Sequence, residues 1–124
     1  MKIIIAGGRY FNDYLLLENK LDYFIFGDTD RDDPKFESYE IVSGTAKGAD
    51  QFGERYAISR LFTIKRFPAD WDTHGKSAGY KRNEEMAKYA DACVVFWDGK
   101  SKGTKHMIDL AKKYNLKLRI VRYE

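Results

Sequence analysis

Ser43-Gly44-Thr45-Ala46-Lys47-Gly48-Ala49-Asp50 follows a short apolar run, Tyr39-Glu40-Ile41-Val42, and precedes a segment of helical spacing from Gln51 to Arg60. A strand that breaks into a glycine turn and restarts as a helix leaves several backbone N–H groups unpaired and pointing one way. Those donors and the positive end of the helix dipole suit an anion, usually a phosphate. The octapeptide therefore predicts a strand–turn–helix unit with an anion-binding mouth.

The same alternation extends in both directions. Apolar runs at Lys2–Ala6, Tyr39–Val42, Phe62–Phe67, Ala92–Phe96 and Lys117–Val121 read as five strands. They are short and nearly continuous, as in strands covered on both faces of a parallel sheet. Helical spacing fills the intervals. Asp13 to Phe26 carries Leu16, Leu17, Leu21 and Phe24 on one stripe, with Asn12 as the expected N-cap. Further helices are expected over about 46–60, 77–89 and 104–114, the last turning Met107, Ile108 and Ala111 to the core. Strict β–α alternation predicts an α/β, Rossmann-like, doubly wound sheet of five parallel strands in the order 3-2-1-4-5, with helices on both faces. Residues 1–124 are expected to form a single domain.

Composition narrows the partners. Hydrophobic residues are 44% of the chain, which predicts a folded core. Aromatics are 15%, more than a domain of 124 residues hides easily, so some are expected at a pocket or an interface. The net charge of +3 comes with no basic run, and on that ground a nucleic-acid partner is not expected. Cys93 is the only cysteine, which excludes an internal disulfide, and with two distant histidines no zinc site or other metal site is expected. Cys93 reads as a small core residue. The chain opens directly on a strand pattern, with no signal-peptide pattern and no apolar run of membrane length, so a cytoplasmic protein is expected. The acidic segment Asp28 to Asp33 reads as a solvated loop, because it lacks the Gly and Glu spacing of a calcium loop.

Ligands of open α/β sheets sit at the carboxyl ends of the strands. Four turns are expected to meet there. Gly7-Gly8-Arg9 pairs close backbone approach with a cation. Ser43, Gly44, Thr45, Ala46 and Gly48 supply the octapeptide's turn and donors, Lys47 is a cation there, and Asp50 accepts from a ribose hydroxyl or from the turn's own N–H groups. Gly79, Arg82 and Asn83 lie at the start of a helix. Lys102, Gly103 and Thr104 form a second glycine turn feeding a helix. Trp71 and Trp97 are candidates to stack on a base. Asp50, Arg82 and Asp98 are the candidates for catalysis, and no catalytic triad is visible.

The stretches Ala6-Gly7-Gly8-Arg9, Ser43 to Asp50, Phe67-Pro68-Ala69-Asp70-Trp71, Gly79 with Arg82-Asn83-Met86, and Gly103-Thr104 together resemble the SLOG superfamily. That Rossmann-like group includes the lonely-guy (LOG) cytokinin-activating enzymes and DNA-processing protein A. The likeness is to its short, YspA-like single-domain members, found in bacteria and phages. The resemblance implies a pocket for a nucleotide-derived ligand, and a homodimer. LOG enzymes are phosphoribohydrolases with the signature PGGxGTxxE and an upstream arginine. Arg82 matches the arginine and Gly103-Thr104 the GT pair, but Met107 stands where the glutamate should be. A methionine neither transfers a proton nor stabilises an oxocarbenium-like charge.

The expected function is therefore binding of a nucleotide-like small molecule, a nucleoside phosphate or an ADP-ribose-like ligand, by a sensor or sequestering protein without a further cofactor. Two alternatives stand beside it: a nucleotide N-glycosidase, and a single-stranded nucleic-acid binder. A homodimer or higher homo-oligomer is expected, with no membrane partner.

Overall fold

A computed structural model describes residues 1–27 and 39–123. The acidic segment Asp28 to Asp33 lies outside the described residues. The strands are β1 (Lys2–Gly7), β2 (Glu40–Ser43), β3 (Thr63–Arg66), β4 (Ala92–Trp97) and β5 (Lys117–Arg122). The helices are α1 (Tyr14–Ile25), α2 (Ala49–Arg60), α3 (Trp71–His74), α4 (Ala78–Tyr89) and α5 (Lys102–Lys113), with a 3-10 turn at Gly75–Ser77 before α4. All neighbouring strands are parallel, in the order β3-β2-β1-β4-β5. This is the α/β Rossmann-like sheet that the alternation predicts.

The period of two along β1 separates two cores. Ile3 and Ile5 face Leu17, Leu21 and Ile25 of α1 and Tyr56 and Ala57 of α2. Ile4 and Ala6 face Met86 and Ala87 of α4 and Met107, Ile108 and Ala111 of α5. Cys93 is buried in this second core, where burial raises its thiol to about 12 and keeps it protonated. The edge strands differ from the expectation of strands covered on both faces. In β3 the residues Thr63, Lys65 and Arg66 are exposed, and in β5 the residues Lys117, Arg119 and Arg122 are exposed. An edge strand has one flank open to water, and charged side chains there discourage pairing with another sheet.

One local expectation changes. Asp13, not Asn12, caps α1, because its carboxylate reaches the Leu16 N–H at 3.1 Å. After β3, Asp70 accepts from Thr73 N at 3.1 Å and starts the one-turn helix α3. Among the described residues no helix is long and apolar enough to cross a membrane.

Helices α1 and α2 are joined by a polar cluster over their shared core. The Tyr56 hydroxyl donates to Asp22 Oδ1 at 2.6 Å, and Arg60 donates to the same carboxylate through Nε at 3.1 Å and Nη2 at 2.6 Å. Burial first, and then the hydrogen bond to Asp22, raise the Tyr56 hydroxyl pKa, while the hydrogen bonds to Asp22 hold Arg60 more firmly protonated. Asp22→Asn should lower the unfolding free energy by about 2 kcal/mol, since hydrogen bonds to a charged partner are the strong ones. Urea unfolding measures it, and a change under about 0.5 kcal/mol would mean that the cluster is merely solvated.

Candidate nucleic-acid interface

The carboxyl ends of β1, β2, β3 and β4 open onto a cleft of about 520 Å³. Its walls come from four separate stretches: Arg9 after β1, Gly44 to Lys47 after β2, Pro68 to Lys76 after β3, and Gly79 to Asn83 at the start of α4, with Gly103 of α5 at one end. A second cavity of about 230 Å³ adjoins it and reaches down to Ala6, Gly7, Met86 and Met107. Arg9, Ala46, Arg82, Asn83 and Gly103 line both.

Close backbone approach makes this mouth. At Gly7 a β-carbon would overlap the Phe96 carbonyl oxygen and sit 2.8 Å from Ala49 Cβ. Gly48, the N-cap of α2, has φ 81° and ψ −126°, a conformation open essentially to glycine alone. Its neighbour Thr45 has φ 65°, unusual for a β-branched residue, and lines the cleft. The Thr45 N–H donates to Ser43 Oγ at 3.1 Å, and Ser43 Oγ donates to Glu54 Oε2 at 2.7 Å. Strain of this kind survives where surrounding contacts over-determine the turn, and it concentrates at functional surfaces.

The charged residues have distinct tasks. Asp50 is 6% exposed and accepts from Ala46 N at 3.1 Å, so its carboxylate caps the turn. Burial raises its pKa to about 6, against the opposing pull of the Ala46 N–H and the Arg82 charge. The Arg82 guanidinium donates to the Gly44 carbonyl through Nη1 and to Asn83 Oδ1 through Nε at 2.9 Å. Arg82 thus braces α4 against the β2–α2 turn while lining both cavities. Asn83 approaches His106 Nδ1 at 3.4 Å, and burial lowers the His106 pKa. Asp98 accepts from the Lys100 and Ser101 N–H groups at 2.8 Å each, and those bonds hold its carboxyl below the usual range.

Of the sequence candidates, Arg9, Gly44, Thr45, Ala46, Trp71, Gly79, Arg82, Asn83 and Gly103 line the cleft, and Gly7, Asp50 and Thr104 line the adjoining cavity. Gly8, Ser43, Gly48, Trp97, Asp98 and Lys102 line neither. Trp97 donates from Nε1 to the Ser101 carbonyl at 3.1 Å, and the Arg122 guanidinium lies 5.3 Å from its ring centre. Absent from the candidates were Pro68, Ala69, Lys76 and Tyr80, which complete the cleft wall. Their signal was available: all flank β3 or open α4, at the edge where ligands of such sheets sit. Among the described residues no group of three or more His, Cys, Asp or Glu side chains is placed to hold a metal ion.

The lining also reverses the inference from net charge. Arg9, Lys47, Lys76 and Arg82 converge on the cleft, and among the described residues its lining holds no carboxylate. They are scattered in sequence, so no basic run announces them, and the fold concentrates a field that a chain-wide charge of +3 averages away.

Comparison with known proteins agrees with the fold and changes the ligand expectation. A solved structure of DNA processing protein A from Helicobacter pylori, described for its single-stranded DNA binding mode, matches all of this chain and 66% of that chain, with a TM-score of 0.64 and 18% identity. Gene 61 protein of Mycobacterium phage D29 is 40% identical over 79 residues, which are 59% of this chain and 63% of that protein. The chain thus spans slightly less than two thirds of the length of each. The Helicobacter neighbour overturns the main functional expectation, a nucleotide-like small molecule, and with it the expectation against a nucleic-acid partner. The physical reason is the basic lining, which composition does not reveal. The family described as YspA, cpYpsA-related SLOG matches residues 1–74, well over half of the sequence. The chain belongs to the YspA, cpYpsA-related SLOG family.

Proposed function

We propose that this protein binds single-stranded nucleic acid, with the strand's phosphates held in the cleft at the carboxyl ends of β1 to β4. The observation that carries this reading is the convergence of Arg9, Lys47, Lys76 and Arg82 on one cleft whose lining, among the described residues, has no carboxylate. A polyanion gains from such a surface by releasing its condensed counterions. The cleft is also large enough, at about 520 Å³, to admit more than a phosphate group. The single-stranded DNA binding described for the Helicobacter neighbour supports the choice of a single strand.

Each basic side chain has its own part. Arg9, Lys47 and Lys76 are exposed at the rim and free to follow a flexible backbone. Arg82 is committed through Nη1 and Nε to the protein, so it contributes charge and shape more than a new bidentate contact. Fluorescence anisotropy with a labelled oligothymidylate tests the reading. Three or four phosphate contacts should weaken affinity roughly 20- to 50-fold between 50 and 200 mM salt, given a slope near −0.7 per contact for single strands. The Lys47→Glu, Lys76→Glu double variant should bind at least about tenfold more weakly and show a shallower salt slope. Absence of binding by the wild-type protein at tens of micromolar, or affinity that ignores salt, would overturn the reading.

A further inference from the structure

We infer that Trp71 is a stacking platform for one unstacked base, and that this platform gives the cleft its preference for a single strand over a duplex. The inference rests on the single-strand reading above and adds the element that reads the bases.

The two tryptophans look equivalent in the sequence, each in a turn after a strand. Their surroundings separate them. Trp97 has its Nε1 committed to the Ser101 carbonyl, carries the Arg122 guanidinium near its ring, and lies outside the cleft. Trp71 is in the cleft wall and 57% exposed. The turn that carries it is restrained: Asp70 caps the short helix by accepting from Thr73 N, and Pro68 restricts the chain that leads into it. The far edge of the indole reaches α4, where its Cη2 lies 3.6 Å from the place a β-carbon on Gly79 would occupy.

A large aromatic surface left in water is unfavourable unless something covers it. Around Trp71 the cover is specified by charge. Lys47 and Lys76 share its cleft, no carboxylate among the described residues lines it, and Tyr80 presents a second, partly exposed ring held edge-on against His106 at 4.5 Å. Aromatic faces interleaved with cations fit alternating bases and phosphates. Every base has a π-face, so such a platform tolerates sequence, whereas in a duplex those faces are already stacked.

The test uses the full chain and three probes: fluorescein-labelled oligothymidylate, its duplex with oligoadenylate, and inorganic polyphosphate. Trp71→Ala should weaken the single strand about tenfold, the usual loss of one stacked base. It should leave polyphosphate affinity and the salt slope unchanged and narrow the preference for single strand over duplex. Trp71→Phe, which keeps a π-face, should stay within about threefold of wild type. An unchanged single-strand affinity in Trp71→Ala, while the Lys47→Glu, Lys76→Glu variant still loses binding, would overturn the platform and leave the single-strand reading standing. Equal loss for oligothymidylate and polyphosphate would overturn it too, by showing that the side chain only shapes the loop. Self-association abolished by Trp71→Ala, with unchanged oligonucleotide affinity, would reassign the indole to a second copy of the chain. Failure of the wild-type protein to bind any single strand would remove both readings together.

Discussion

Gly48→Ala should lower the unfolding free energy by about 3–5 kcal/mol, a loss on the scale of a strained backbone combined with a steric clash. For a chain of 124 residues this corresponds to a fall in Tm of roughly 10–20 °C. At φ 81° and ψ −126° a residue with a side chain is strained before any neighbour is considered. The neighbours add to it. A β-carbon there would overlap the Gly8 carbonyl oxygen and lie 2.7 Å from both the carbonyl carbon and the oxygen of Arg9. These are backbone atoms and cannot swing aside as a flexible side chain would. The Gly8 carbonyl also accepts from Phe11 N at 3.2 Å and from Ala49 N at 3.4 Å, tying the β1–α1 turn to the start of α2. Displacing it moves Arg9, a cation of the cleft, so surviving folded protein should also bind oligonucleotide more weakly. Thermal unfolding followed by circular dichroism decides the first claim. A Tm within about 2 °C of wild type would show that the turn relaxes freely and that the close approach of the two turns is not part of the fold's stability.

The glycine positions and the strand order were legible because each rests on local chemistry. The octapeptide announces its strand, turn and helix from residue types alone, and the repeated alternation then leaves few topologies. The continuous apolar run Ile3-Ile4-Ile5 reads as a strand covered on both faces, and its side chains do divide between the two cores. Less local features escaped. Asn12 and Asp13 are both good caps, and only the chain's path selects the carboxylate of Asp13. Arg82 was legible as a cation beside the site, but its commitment to the Gly44 carbonyl depends on how closely α4 packs against the β2–α2 turn. The basic cleft was legible in part: Arg9, Lys47 and Arg82 read as cations at the shared edge, and Lys76 escaped. The sheet order brings Arg9, Lys47, Lys76 and Arg82 together, and only the folded chain shows all four lining one cleft.

The pH dependence of stability should carry the signature of Asp50. Its carboxyl titrates near 6 in the folded protein against 3.8 as the ordinary value, because burial disfavours the charged form. The folded state then holds a proton that the unfolded state releases, so the stabilisation is complete below about pH 3.8 and is lost as pH rises through about 6. A shift of this size amounts to about 3 kcal/mol, at roughly 1.4 kcal/mol per unit. Asp50→Asn keeps an acceptor for the Ala46 N–H and removes the charge, but it also deprives the partly buried Arg82 of a favourable neighbour. The net expectation is a gain of about 1–2 kcal/mol at pH 7.5 that vanishes near pH 4, read from urea unfolding across that range. A loss of stability at pH 7.5 would instead mean that the attraction between Asp50 and Arg82 outweighs the cost of burying the carboxylate. The same residue links stability to binding. A phosphate in the cleft, beside the Ala46 and Arg82 that line both cavities, brings negative charge toward Asp50 and favours its protonated form. Wild-type affinity for oligothymidylate should therefore fall between pH 5.5 and 7.5, with the fall flattened in Asp50→Asn. The charge that makes this turn costly to fold is also the charge that the bound anion must overcome.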